Sequence, residues 1–503
     1  MKVRGYLNLS DKRSRTVYGH RSEMMREIRI PVLIFIVNMI LCGSYLAGTY
    51  PGNYSIDVVN DLILLTQDPF SLSKYFLCQT RLRVSLFYRC IIGLFAFFDP
   101  KLVPFAIFQA VLVSVTCAWN WLILKRYANR VIAWIVTGAM VLSPLNGMLT
   151  SYYHRSTFFS FIFFLNILFL YVLMKKRRFG VTEKIFFSIN LISIACLRLD
   201  GMIVFISSLV GYWIWTTERL KTRCVLILIC AAVVFSYYYI PRSMQTEGPS
   251  SFKFPFGRQV KKIIQYKGLE HPYPELRRLR HEFIDPALSE EERKSEYSLS
   301  NLSPSLFESD MQGKEEIMKV GKWYAEFLAK HVRYFLRTQL DVFIWSSTLR
   351  WDVWYYYDYM DEDSREISLQ KMGDEAKRFT AMFEDIDSNP VIGGVIQMTE
   401  RFFSENKRNP VILFFLITVF STPIPFAAVI LYALCAVFIH RRLLVPLSPV
   451  FFYCVYLFLF QPQPKEQYWT WLVYCYAFVV IVFGYELVVK TVSICHNEKT
   501  KTV

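Results

Sequence analysis

Long apolar runs, each bounded by a short basic cluster, constrain this chain more than any other feature of its sequence. A hydrocarbon core about 30 Å thick needs about 20 residues of helix to cross it, and most of the runs approach that length. The runs lie at about 31–49, 102–124, 131–150, 156–174, 185–197, 202–216, 224–240, 421–439, 443–460 and 468–489. The sequence therefore predicts an all-α polytopic membrane protein with about ten transmembrane helices.

Composition agrees with this class and excludes others. Hydrophobic residues make up 54% of the 503 and charged residues 19%. The net charge of +16 comes from clusters beside the apolar runs, a pattern typical of orientation in a membrane and not of nucleic-acid binding. The eleven cysteines show no CxxC or Cys/His spacing, so no metal site and no cofactor are predicted. The basic N-terminus runs straight into the first span, which indicates no cleavable signal peptide.

The basic clusters also predict the orientation of the helices. If about ten spans cross the membrane, all the basic clusters fall on one side, and the positive-inside rule makes that side the cytoplasmic one. Both termini are then predicted to lie in the cytoplasm, and the protein in the plasma membrane. The predicted regions are a basic cytoplasmic N-terminus (1–30), an N-terminal transmembrane region (31–240) with its first external loop at 50–101, an extracytoplasmic segment (241–410), a C-terminal transmembrane region (411–490) and a cytoplasmic tail (491–503).

Two further apolar stretches, 84–98 and 411–420, would change the parity of the spans if they crossed the membrane. Arginines alternate with apolar residues at 81–89, a pattern that favours an amphipathic helix lying at the headgroups. We therefore expect external juxtamembrane helices here, with a short true span as the alternative.

The segment between Pro241 and Pro410 has the composition of a water-soluble, mostly helical region, with a helix expected at 314–338. A patch dense in Trp and Tyr follows at 345–359. Aromatic rings stack on sugars, but they also form belts at membrane interfaces, and both interpretations stay open.

The first external loop offers the most specific candidate for chemistry. Pro51 and Gly52 end the first helix as it leaves the membrane, and Asp57 follows on a short, constrained segment. A solvated carboxylate in a helix-ending turn is the alternative.

Charged residues in other loops lie where a membrane makes charge costly. Arg198 and Asp200 separate two short apolar runs. Either they face a shared cavity, where the arginine would receive a phosphate, or they neutralise each other or extend to the outer interface. The 151–156 loop carries His154 and Arg155. It forms either a cationic surface for a lipid-linked phosphate or a plain solvated loop. Lys465 lies in a Pro-containing loop before the last span, where the prolines could simply set a rigid turn.

With the predicted topology, all these residues emerge on one face of the membrane. A carboxylate can take a proton from an acceptor hydroxyl while Arg or Lys stabilises a leaving phosphate. The joint pattern therefore favours transfer of a group from a phosphate-linked lipid.

The layout resembles the GT-C superfamily of glycosyltransferases, which use polyprenyl-phosphate sugars and carry an acidic catalytic residue in the first external loop. Tyr50-Pro51-Gly52 with Asp57, and Leu197-Arg198-Leu199-Asp200-Gly201, are similar to motifs of uncharacterised bacterial proteins with GT-C-like topology. The chain departs from that pattern at His154-Arg155, where a Lys-Asp pair is expected, and at Gln467-Tyr468, where an Arg-Tyr pair is expected.

The resemblance implies an inverting, metal-independent transfer of a sugar from a polyprenyl-phosphate carrier to an extracytoplasmic glycan or lipid acceptor. Asp57 would be the general base, and Arg198, Arg155 and Lys465 would hold the donor phosphate. Asp61, His154, Asp200 and Tyr468 would support them. The alternatives are a lipid-linked glycan polymerase or flippase-like protein, and a transporter, for which paired broken helices near the midplane are expected.

Overall fold

The computed structural model describes residues 7–48, 53–54, 58, 86–99, 101–243, 322, 325–326, 328–347, 423–460 and 469–499. These residues are mostly helical, and two two-residue strands pair in parallel. The elements are α1 Leu7–Gly48, β1 Asn53–Tyr54, α2 Leu86–Phe98, α3 Val103–Tyr127, α4 Arg130–Val141, α5 Pro144–Thr150, β2 Tyr152–Tyr153, α6 Arg155–Lys176, α7 Val181–Leu197, α8 Gly201–Trp215, α9 Leu220–Ser243, α10 Val332–Ser347, α11 Pro423–Phe438, a 3₁₀ turn Arg441–Leu443, α12 Leu444–Phe460, α13 Thr470–Tyr474, a π-helical stretch Phe478–Val482 and α14 Phe483–Lys499.

Six helical stretches in the described part of the chain are long and apolar enough to cross a membrane. They are Ile28–Gly48, Val103–Tyr127, Arg155–Lys176, Leu220–Tyr238, Arg441–Phe460 and Phe478–His496. Four shorter apolar helices accompany them, at Phe87–Phe98, Arg130–Val141, Gly201–Trp215 and Pro423–Phe438. The chain is thus a helical membrane protein, and the count of ten spans stays a prediction.

One predicted span, 131–150, consists of two helices in the structure. Helix α4 ends at Val141, and α5 begins at Pro144 after Ser143, which has an extended backbone. Proline lacks the N–H that a continuing helix needs, and it disfavours helical geometry in the residue before it. The same properties suit proline to the first position of the new helix, α5.

Helix α6 is the centre of the bundle. Of its most apolar 18-residue window, 94% is buried inside the protein, against 22% for α1 and 17% for α9. It contacts α3, α7, α8, α12 and α13. Because α6 is apolar on all sides, its packing against five helices covers apolar side chains on every face, as expected for a core helix.

The peripheral helices leave large apolar side chains uncovered. Ile40 of α1, Ile214 of α8 and Phe438 of α11 are 62%, 69% and 84% exposed. Exposed apolar surface on this scale is typical of helices that face lipid.

The helices bring their charged ends together at two opposite ends of α6. The Arg198 end is defined by Arg155, Arg198 and Asp200, and the Lys175 end by Lys175, Trp215 and Arg442. Three of the basic clusters that the sequence predicts to be cytoplasmic lie together at the Lys175 end, at 175–178, 219–223 and 440–442.

Several predictions fall on residues outside those described. The 411–420 stretch and the aromatic patch beyond Ser347 are among them, as is most of the 241–410 segment. Within that segment, the helix expected at 314–338 corresponds in its described part to α10, which extends to Ser347. The apolar stretch at 84–98 is helix α2.

Candidate functional site at the Arg198 end

The turn between α7 and α8 carries the central charged pair. Helix α7 ends at Leu197, Arg198 takes an extended backbone conformation, and α8 begins at Gly201. A Cβ at Gly201 would overlap the carbonyl oxygen of Ile194 in α7. Glycine therefore lets the two helices approach closely enough to make this tight turn.

Arg198 and Asp200 form a two-pronged ion pair. The Nε of Arg198 donates to Oδ1 of Asp200 at 2.8 Å, and Nη2 donates to Oδ2 at 2.7 Å. The side chains are 8% and 13% exposed. The structure thus shows that these two residues pair with each other, as one interpretation of the sequence predicted. Paired contacts of this kind are the strongest class of side-chain hydrogen bond.

Two other helices contribute hydroxyl groups to the pair. Nη1 of Arg198 donates to Oγ of Ser156, in the first turn of α6, at 2.7 Å. The Tyr453 hydroxyl, from α12, donates to Oδ2 of Asp200 at 3.0 Å. The ion pair thereby joins the α7–α8 turn to the central helix and to α12.

Aromatic rings enclose the pair on the side of the bundle core. The Arg198 guanidinium lies 5.4 Å from the centroid of the Phe159 ring. Phe159 contacts Tyr453, with 5.6 Å between ring centroids, and Tyr453 contacts Trp471 at 5.2 Å. These rings limit the side-chain conformations open to Arg198 and Tyr453.

Asp200, in the turn outside the helices, stays ionised at neutral pH. Burial acts to raise its pKa, but the charge of Arg198 and the hydrogen bonds from Arg198 and Tyr453 outweigh it, so the pKa lies below its ordinary value of 3.8. The charge of Arg155 acts in the same direction. Two arginines, Arg198 and Arg155, thus act on this one carboxylate.

His154 shapes the start of α6. Its Nδ1 accepts a hydrogen bond from the backbone N–H of Ser156 at 3.1 Å, which caps the helix. Its ring stacks on Tyr152, with 5.6 Å between centroids. His154 is 4% exposed, so the 151–156 segment is a buried part of the fold and not a plain solvated loop.

The parallel strand pair brings the backbone that follows α1, the predicted first external loop, to this end. Asn53 pairs with Tyr152 and Tyr54 with Tyr153, directly before His154 and Arg155. Val58, the next described residue of the loop, is fully buried and belongs to the main hydrophobic core. The backbone that follows α1 is thus attached at the start of α6.

Four of the predicted site residues, Asp57, Asp61, Lys465 and Tyr468, lie outside the described residues. The structure brings together the other four, Arg155, Arg198, His154 and Asp200. Sequence reasoning missed the roles of Ser156, Phe159 and Tyr453. A serine next to Arg155 is a weak signal, whereas Phe159 and Tyr453 lie within apolar runs that reveal nothing of a polar contact.

Among the residues that the structure describes, no group of three or more His, Cys, Asp or Glu side chains could hold a metal ion. Comparisons with protein-family models, curated proteins and solved structures give no match to this chain. A function can therefore be assigned only from the sequence and from the geometry around Arg198 and Asp200.

Proposed function

We propose that this protein is a membrane glycosyltransferase, which moves a sugar from a polyprenyl-phosphate donor to an extracytoplasmic glycan or lipid acceptor. The observation that carries the proposal is the pairing of Asn53 and Tyr54 with Tyr152 and Tyr153. It supports a site in which the loop that contains Asp57 and the arginines at the start of α6 and α8 serve one reaction.

The two arginines at the Arg198 end, Arg155 and Arg198, support binding of the donor phosphate. Arg198 already holds Asp200 through two nitrogens and Ser156 through the third. We assign the contacts with the donor phosphate to Arg155, Arg198 and Lys465, and the hydrogen bonds to Asp200 and Ser156 hold the Arg198 guanidinium in place for this role. His154 and the ion pair keep the start of α6 in place.

The reaction is a displacement at the anomeric carbon of the donor sugar. Asp57 takes the proton of the acceptor hydroxyl as its oxygen forms a bond to that carbon. The bond from the carbon to the phosphate oxygen breaks, and the polyprenyl phosphate leaves with the bonding electrons, its charge stabilised by the arginines. Attack opposite the leaving group inverts the configuration of the sugar.

The test compares variants in cells that lack the gene. Replacing Asp57 with Asn should lower transfer by about 10² to 10⁴, the usual contribution of a general base. Polyprenyl-phosphate sugar should accumulate, and the mature glycan should lack one residue. Asp57→Asn protein should still insert into the membrane at the level of the original chain.

Asp99→Asn is the matched control, because Asp99 is a carboxylate just before α3 whose Oδ1 accepts a hydrogen bond from the backbone N–H of Lys101. This variant should restore the glycan fully. Wild-type transfer by the Asp57→Asn protein would contradict the mechanism, and a product lengthened by many residues would indicate a polymerase instead.

A further inference from the structure

The charged side chains at the Lys175 end are paired unequally. Three lysines there each meet a glutamate: Lys175 lies 2.7 Å from Glu486, Lys176 lies 2.6 Å from Glu183, and Lys184 lies 2.6 Å from Glu218. These pairs neutralise Glu486, Glu183 and Glu218. The arginines that remain add positive charge that these glutamates do not balance.

Two of those arginines converge on one indole ring. The guanidinium carbons of Arg177 and Arg442 lie 5.0 Å and 5.7 Å from the ring centroid of Trp215. The two groups are therefore within about 11 Å of each other, and both side chains are exposed. Two guanidinium groups held beside one ring present several hydrogen-bond donors and two positive charges to an anion.

The backbone at Arg177 is held in an unusual conformation. Its φ of 61° lies in the left-handed region, which glycine adopts readily and arginine rarely does. The carbonyl of Arg177 accepts hydrogen bonds from Thr217 N–H at 2.8 Å and from the Thr216 hydroxyl at 3.2 Å. These bonds attach the end of α6 beside Trp215. This left-handed cap and its hydrogen bonds fix the position of Arg177 beside Trp215.

The surface beside this pair is apolar and uncovered. Ile214, next to Trp215, is 69% exposed, and Phe438, one turn before Arg442, is 84% exposed. Cations that border an exposed apolar face match a ligand with a phosphate and hydrocarbon chains, because the chains can cover that face.

We propose that Arg177, Arg442 and Trp215 form a binding site for the phosphate headgroup of an anionic phospholipid. The guanidinium groups would donate to the phosphate oxygens, and the acyl chains would lie along Ile214 and Phe438. The site is at the opposite end of α6 from the proposed transferase site, and it does not depend on that function.

The test is native mass spectrometry of the full-length protein in detergent, titrated with dioleoyl phosphatidylglycerol or dioleoyl phosphatidylcholine. The wild-type chain should bind phosphatidylglycerol more tightly. The double variant Arg177→Gly with Arg442→Gln should weaken that binding by roughly fivefold for each arginine lost. Glycine adopts the positive φ at position 177 without strain, so the loss of the arginine should not lower the melting temperature through the backbone.

Arg178→Gln with Arg441→Gln is the matched control, because it removes the same charge from neighbouring exposed positions. It should change binding less than twofold. Equal losses in the two double variants, or no loss in either, would overturn the site. A different result would overturn the lipid assignment: the two lipids bind equally, and inorganic phosphate at millimolar concentration binds only when Arg177 is present. The ligand would then be a soluble phosphate compound.

Discussion

At the scale of single residues, the Arg198–Asp200 pair is a buried ion pair that joins the α7–α8 turn to α6 and α12. Each charge is almost fully removed from water, and each is satisfied by the other and by a hydroxyl group. A buried pair adds little stability compared with apolar residues of the same volume, but loss of one partner leaves a buried charge without compensation. The pair is therefore much more sensitive to single changes than to double ones.

Replacing Asp200 with Asn should destabilise the protein by about 3 kcal/mol, because Arg198 then keeps its charge without a carboxylate. Tyr453→Phe should cost about 1.5 kcal/mol, since it removes one hydrogen bond to a charged group. Unfolding in mixed micelles measures both. Adding Arg198→Gln to Asp200→Asn should recover part of the loss, and a double variant less stable than either single one would contradict the pairing.

Acid should act on the same pair in a predictable direction. The pKa of Asp200 lies below its ordinary value of 3.8, so its contribution to stability is complete at neutral pH and disappears as the pH falls through the folded-state pKa. We expect the stability difference between the original chain and Asp200→Asn to be constant from pH 8 to about pH 5. Unfolding curves across that range provide the check, and a difference that shrinks near pH 6 would show a raised pKa.

At the scale of elements, polar side chains attach the helices to one another. Asn38 of α1 donates to Ser114 of α3 at 2.8 Å, and Asn166 of α6 donates to Ser208 of α8 at 2.8 Å. At the Lys175 end, Glu486 of α14 accepts from Tyr171 and Lys175 of α6 at 2.6 and 2.7 Å. In lipid there is no hydrophobic force between helices, so such bonds contribute to specific pairing.

Replacing Glu486 with Gln should loosen α14 from α6 and lower stability by about 2 kcal/mol, because the Glu486 side chain is 6% exposed and the change leaves Lys175 without its carboxylate. Glu183→Gln is the control, since both partners of its pair are about one third exposed and it should cost less than about 1 kcal/mol. Thermal unfolding in detergent compares them. Equal losses would show that burial does not determine the strength of these pairs.

At the scale of the whole molecule, the positions of the charges predict which end of the bundle faces the cytoplasm. The clusters at 175–178, 219–223 and 440–442 lie at the Lys175 end, while Arg198 lies at the other end of α6. Loops rich in Lys and Arg tend to stay on the cytoplasmic side of a membrane, so the Lys175 end is predicted to face the cytoplasm. The proposed donor site would then face outward.

Cysteines introduced at the two ends test this orientation. Leu199 and Leu220 are 75% and 63% exposed, at the Arg198 end and the Lys175 end. Leu199→Cys should react with a membrane-impermeant maleimide in intact cells, and Leu220→Cys only after permeabilisation. The original chain sets the background from native cysteines, and the reverse pattern of labelling would invert the topology and contradict the proposed function.

The sequence by itself determined the class of the protein and much of its helix content. Apolar runs long enough to cross a bilayer can satisfy their backbone only as helices, so composition and length lead to that result without knowledge of the packing. The starts of α6 and α8, at Arg155 and Gly201, lie within one residue of the predicted run boundaries. The pairing of Arg198 with Asp200 was one of several interpretations because charge alone does not reveal the partner.

Only the tertiary structure decided which residues meet. Tyr453 reaches Asp200 across 253 positions of chain, and the backbone after α1 pairs with the segment before α6. Neither contact has a local signal, because hydrogen bonds between distant segments depend on how the helices pack and not on the residues that flank each segment. The break of the 131–150 run at Pro144 has a local cause in proline chemistry, whereas the convergence of Arg177 and Arg442 on Trp215 exists only in the assembled bundle.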